Sequence, residues 1–196
     1  MITDFSQVDE ALLKHLAGLM IEDENGAPKE VPVIYIDPEV EFQISEYPTI
    51  VVFRQGIYPN DYRWTNDKFY DNPVYDENGD LVTLDVRDAP DPFNVYYGIR
   101  LYYQYQMDGV KLNQHIMSKL RRGSFLSING DEYDIIFVSY KNPEATYRTY
   151  GEQPENKQRK FYEQYLYKVE MELDNAPRET VPVSQELLAS IKILNP

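Results

Sequence analysis

The sequence predicts an α+β fold: a mainly antiparallel sheet with two helices packed on one face, plus a long aromatic hairpin-containing insertion and a short C-terminal helix. Three observations carry that prediction. Ile99, Leu101, Tyr103, Tyr105 and Met107 alternate with Arg100, Gln104 and Gln106, the period of a half-buried strand running from Asn94. Directly behind it, Leu112, Ile116 and Leu120 recur every four residues along one face of a helix. Later, Tyr165, Tyr167, Val169, Met171 and Leu173 alternate with Leu166, Lys168, Glu170 and Glu172, a second clear strand. The chain of 196 residues is long enough to bury a core without staples. Residues 1–174 read as a single α+β domain carrying residues 57–93 as an inserted arm, and residues 175–196 as a C-terminal tail.

In chain order, Val8, Leu12, Leu16 and Leu19 fall at helical spacing behind Thr3, Asp4 and Ser6 as candidate N-caps, which predicts a helix from about Asp4 to Met20. His15 lies on it, with no neighbour in sequence offering a second metal ligand or a nucleophile. Val31–Ile36 and Thr49–Phe53 are short β-branched and aromatic runs bounded by prolines and read as strands, with Asp37-Pro38-Glu39 as a turn between them. The first belongs at a sheet edge, because Pro32 lacks a backbone donor. Between Ile57 and Phe93 the composition turns to Tyr, Asp, Asn and Pro, too long for an ordinary connection. Within this arm, Val74-Tyr75 and Leu81–Leu84 flank Asp76-Glu77-Asn78-Gly79-Asp80 as a hairpin.

Asp108 is the expected cap of the central helix, Lys111, Lys119, Arg121 and Arg122 crowd its flank and end, and Gly123 supplies a left-handed residue beyond it. Ser124–Ile128 and Tyr133–Tyr140 form a hairpin through Asn129-Gly130-Asp131. Residues 142–160, with Pro143, Gly151 and Pro154, read as a polar loop. After Asn175-Ala176-Pro177, Ser184 caps a short helix through Leu188 and Ile191.

The formal charge of −14 disfavours a nucleic-acid groove or an anionic membrane as partner, since phosphate binding draws on clustered Lys and Arg. The absence of cysteine excludes disulfides and thiolate metal sites. The start, Met-Ile-Thr-Asp-Phe-Ser, predicts neither a secretory leader nor a membrane anchor. The Asp-Glu-Asn-Gly repeats at Asp23 and Asp76 lack EF-hand spacing, because Gly79 is fourth rather than sixth, and they read as turns. There is no phosphate-cradling glycine loop, no nucleophile elbow and no His-Glu-x-x-His site, so no catalytic, metal or cofactor residue is predicted. The eighteen tyrosines suit half-buried sheets and protein interfaces alike. Those of the arm, Tyr58, Tyr62, Tyr70 and Tyr75 together with Trp64 and Phe69, are the predicted subunit-interface residues.

The run Tyr97-Gly98-Ile99-Arg100-Leu101-Tyr102-Tyr103-Gln104-Tyr105, the helix through Leu120 and the strand Phe161–Leu173 together resemble the tail-terminator (tail-completion) proteins of long-tailed bacteriophages. The likeness is one of element order and spacing over roughly two-thirds of the chain; the arm and the tail depart from it. The resemblance implies a structural protein with no catalytic residues. It implies a ring, usually of six copies, in the tail-neck region of the virion, made in the host cytoplasm. Its partners would be the tail tube, sheath proteins and the head-tail connector, with DNA passing through the lumen unbound. Another neck or baseplate role, an acidic inhibitor that mimics DNA, and a sugar-binding protein are the alternatives.

Overall fold

The computed structural model describes residues 2–22, 26–37, 44–63, 68–78, 80–147, 159–174 and 179–182. Among the described residues the fold is α+β, with two helices and mostly antiparallel sheets, and the chain divides into two compact units. The first comprises residues 1–60 and 92–173, the second residues 61–91 and 174–196.

In the first unit, α1 (Ser6–Leu16) is followed by the short pair β1 (Met20–Glu22) and β2 (Pro28–Glu30). Then come β3 (Val33–Tyr35), β4 (Thr49–Pro59), β7 (Asp91–Tyr103), α2 (Gln106–Lys119), β8 (Ser124–Ile128), β9 (Asp131–Tyr147) and β10 (Arg159–Leu173). Six of these strands form one curled half-barrel sheet in the order β3-β4-β7-β10-β9-β8. β3 lies at the edge, parallel to β4, where the missing donor of Pro32 costs no ladder bond and its carbonyl accepts from Ile50 N–H at 2.9 Å.

One face of the sheet is apolar because successive strand side chains alternate and the registers keep the apolar parity aligned. Ile50 pairs with Leu101 and Val52 with Ile99 across β4 and β7. These four residues share one buried cluster with Val8, Leu12 and Leu16 of α1, Leu112 and Ile116 of α2, and Tyr165, Tyr167, Val169, Met171 and Leu173 of β10. Each fully buried aliphatic side chain contributes about 1.5–3 kcal/mol. Gly98 sits opposite Phe53, whose ring occupies the space a Cβ would need, with the Arg100 guanidinium 4.5 Å above the ring centroid.

In the second unit, β5 (Lys68–Tyr75) and β6 (Leu81–Asp88) form the predicted hairpin, and β11 (Glu179–Pro182) pairs antiparallel with β6. Arg87 and Asp174 form a buried ion pair at 2.7 Å, and the Thr180 hydroxyl donates to Asp85 at 2.6 Å. The residues after 174 are therefore not a mere appendage: part of them completes a three-stranded sheet. The predicted helix from Ser184 lies outside the described residues, as do Trp64, Asp23–Asn25, Gly79 and the turn residues Pro38 and Glu39.

Several boundaries differ from expectation. α1 ends at Leu16 rather than Met20, because Gly18 at φ 90° turns the chain into β1. β7 stops at Tyr103, so Tyr105 and Met107 continue the alternation in sequence but are exposed, Met107 already within α2. Asp108 is not the cap. It stands in the first turn of α2, and the N-cap residue, Tyr105, makes no side-chain capping bond. β4 runs on to Pro59, and Ile57, Tyr58 and Pro59 pair with Val95, Asn94 and Phe93 of β7, so Ile57–Pro59 and Phe93 belong to the main sheet rather than the arm. Residues 142–147 and 159–160 are strand, not loop: β9 and β10 continue as a long ribbon. The β8–β9 turn is as predicted, with Asn129 at φ 55° and Gly130 at φ 90°, the two left-handed residues a type I′ turn requires.

Candidate functional site

A recess of about 900 Å³ opens between the last turns of α2 and strands β9 and β10. Helical spacing puts Asn113 and Met117 one turn apart on its wall, and the chain leaves α2 through Arg121 and Arg122 at its mouth before Gly123, at φ 79°, redirects it into β8. From β10 come Tyr165 and Tyr167, two residues apart and so on one face. From β9 come Phe137 and Tyr140, whose odd spacing would place them on opposite faces of a regular strand. The register resolves this: Tyr167 pairs with Phe137, Leu166 with Ser139 and Tyr165 with Tyr140. Val138 is thus an extra residue, a bulge that brings Phe137 and Tyr140 onto the face of their partners. The rings interlock, Phe137 edge-on to Tyr167 at 5.6 Å, Tyr140 tilted on Tyr165 at 4.8 Å, and Tyr165 stacked on Tyr167 at 6.4 Å.

A second irregularity underlies the recess. Tyr162 pairs with Glu144 and Gln164 with Lys141, so β9 sets Asn142 and Pro143 opposite the single residue Glu163. A bulge is one of the few places a sheet tolerates proline. Glu163, with 4% exposure, accepts the Tyr103 hydroxyl on Oε1 at 2.5 Å and the Tyr140 hydroxyl on Oε2 at 2.9 Å. The Tyr165 hydroxyl donates to Asn113 Oδ1, and Asn113 Nδ2 donates to the Gly109 carbonyl at 2.9 Å, which fixes the amide.

Burial, and then the hydrogen bond to Glu163, push the Tyr140 hydroxyl up to about 12. Burial alone takes Tyr167 to about 12. Tyr103 and Tyr165 are raised further, first by burial and then by the Glu163 carboxylate. All four therefore stay neutral hydroxyls near pH 7, and none is poised as a phenolate. What the recess offers a ligand is aromatic surface, fixed hydroxyls and two guanidinium groups at its mouth. Arg121 and Arg122 are exposed and form no ion pair among the described residues.

The recess adjoins an open edge. β8 pairs with β9 only as far as Ile135, so from Ile136 onward that edge of β9 has no partner strand among the described residues. Ile136, Phe137, Val138 and Tyr140 there are 38–53% exposed. An unpaired strand edge presents backbone N–H and C=O groups on which another strand can pair.

The predicted interface residues are dispersed. Tyr58 belongs to β4 in the first unit, where its exposed ring meets Tyr96 edge-on at 5.6 Å. Tyr62 is fully exposed in the turn after β4, Tyr70 is half-buried on β5, and Tyr75 is exposed at the end of β5. Phe69 lies on β5, its side chain outside the described set. Sequence reasoning missed Phe137, Tyr140, Asn113 and Glu163, because no local signal marks an extra residue at Val138. Pro143 within a run flanked by strand-like sequence was the available hint of the second bulge. Asp76, considered for calcium, spends Oδ1 on the N–H groups of Asn78 and Asp80 at 2.9 and 2.8 Å, as a turn residue does. Among the described residues no three His, Cys, Asp or Glu side chains are grouped to hold a metal, and no helix is long and apolar enough to cross a membrane.

No known family model matches this sequence, and no curated protein matches it.

Proposed function

We propose that this chain is a structural virion protein, a tail terminator that closes with copies of itself into a ring, caps the tail tube and joins it to the head connector. The observation that carries this reading is the open edge of β9 with Ile136, Phe137, Val138 and Tyr140 exposed beside an aromatic recess. On an isolated subunit such an edge invites aggregation; in a closed ring it is consumed by the neighbour. The order of helix, sheet, strand, helix, hairpin and final strand supports the family resemblance. The charge of −14 suits a lumen through which DNA slides without sticking.

The test is the solution mass of the purified chain by light scattering across concentration, with negative-stain imaging, followed by addition to phage tails that lack it. Rings of about six copies that bind one tail end and restore head joining are the expected result. Rings that bind elsewhere on the particle would move the role to another neck or baseplate position. A strict monomer that leaves tails unjoined would remove the reading.

A further inference from the structure

The β5–β6 hairpin ends in a tip whose chemistry complements the recess beside α2. At the tip, Val74, Tyr75 and Val82 are 54, 59 and 44% exposed, and the turn between them carries Asp76, Glu77 and Asp80. In the recess, Met117, Phe137 and Tyr140 are exposed beneath Arg121 and Arg122. Each surface thus combines apolar area with charge, three carboxylates at the tip and two guanidinium groups at the recess, and the signs are opposite.

We propose that the hairpin tip of one copy docks into the α2–β9 recess of the next, with Tyr75 against Phe137 and Tyr140 and with Glu77 and Asp80 facing Arg121 and Arg122. This contact rests on the self-assembly reading above and names its surfaces. Three features favour a second copy as the occupant. Charge is complementary tip to recess, while tip against tip and recess against recess place like charges together, so the wrong pairings are disfavoured. The tip is pre-organised: Asp76 N–H donates to the Asp80 carbonyl at 2.9 Å and the Asp76 carboxylate holds Asn78 and Asp80, so ordering costs little on docking. A recess of about 900 Å³ lies within the range that small ligands fill and is roomy enough for a tyrosine and a valine of one turn. Because the two patches differ, the contact is head-to-tail, the type that closes into rings when the rotation per copy permits.

The chain contains no cysteine, so single cysteines report on the contact directly. Glu77→Cys and Arg122→Cys chains, purified separately, are mixed under mild oxidation and compared with Glu10→Cys mixed with Arg122→Cys. Position 10 is exposed on α1. The expected result is a mixed disulfide dimer about tenfold more abundant for the 77–122 pair than for the control, weakening with salt as exposed charge pairs do. In parallel, Glu77→Lys with Asp80→Lys, and separately Arg121→Glu with Arg122→Glu, weaken self-association by about tenfold, and the chain carrying all four reversals regains it. Rings without preferential 77–122 linkage overturn this contact and leave the ring reading in place. Selective linkage without rings keeps the contact and removes the ring. Neither rings nor selective linkage overturns both.

Discussion

At Glu163 a carboxyl group with 4% exposure is held by two tyrosine hydroxyls, from Tyr103 and Tyr140. Removing a donor leaves a buried oxygen short of a partner, which costs more than the net worth of an average hydrogen bond. Tyr103→Phe should therefore destabilise the fold by about 1–3 kcal/mol in urea titration, and Tyr140→Phe, which removes the more exposed of the two tyrosine hydroxyls, by about 0.5–1.5 kcal/mol. An unchanged midpoint in both would show that Glu163 is satisfied in another way. The raised hydroxyls set a second expectation, at alkaline pH. The folded state binds protons that the unfolded chain releases near 10, so the stability these tyrosines contribute is fully present below pH 10. It is lost as pH climbs toward about 12, where Tyr140 and Tyr167 ionise in the fold. Chemical denaturation at stepped pH should show stability falling through that window, and Tyr167→Phe should flatten the fall. A flat profile in the parent chain would contradict the burial of these hydroxyls.

Between elements, the two helices hold one another through a reciprocal pair of histidine bonds. His15 Nε2 on α1 lies 2.8 Å from the Lys119 carbonyl at the end of α2, and His115 Nε2 on α2 lies 2.7 Å from the Leu16 carbonyl at the end of α1. A carbonyl only accepts, so Nε2 carries the proton in both. Each histidine satisfies a last-turn carbonyl that the helix itself leaves open. His15→Ala and His115→Ala should each cost about 1 kcal/mol, and the double variant should depart from additivity because both act on one helix–helix contact. A double-mutant cycle in denaturant measures it. Strict additivity with near-zero single effects would make the two bonds incidental. In sequence the first histidine has no neighbour that gives it a task; its use lies 104 positions away along the chain.

For the whole molecule, the charge balance and the topology act together. A net charge of −14 leaves few cations from which to build a basic face for a phosphate backbone. Duplex DNA at low salt should run unretarded with the purified chain in a mobility assay. A salt-sensitive shift would displace the virion reading toward a nucleic-acid-binding one. In the second unit, β11 closes its three-stranded sheet against β6, and the buried Arg87–Asp174 pair ties residue 174 to the hairpin. Truncation before Asp174 would thus strip a sheet strand and uncover a buried guanidinium, rather than trim a loose end.

Periodicity in the chain suffices for α2, β7 and β10, for the β5–β6 and β8–β9 hairpins and for the edge position of β3. In these the deciding energies are local: side chains at period 2 or 3.6, a left-handed Asn-Gly, a proline without a donor. It suffices also for the α+β class, since alternating strands and one-sided helices have few ways to bury their apolar faces together. It did not reveal the recess. The bulge at Val138, the pair of residues opposite Glu163, the histidine clasp and the pairing of β11 with β6 all depend on which strand or helix lies alongside. Register and partner choice are settled by packing between residues far apart in the chain, and a run of sequence carries no local energy that distinguishes a bulged strand from a straight one.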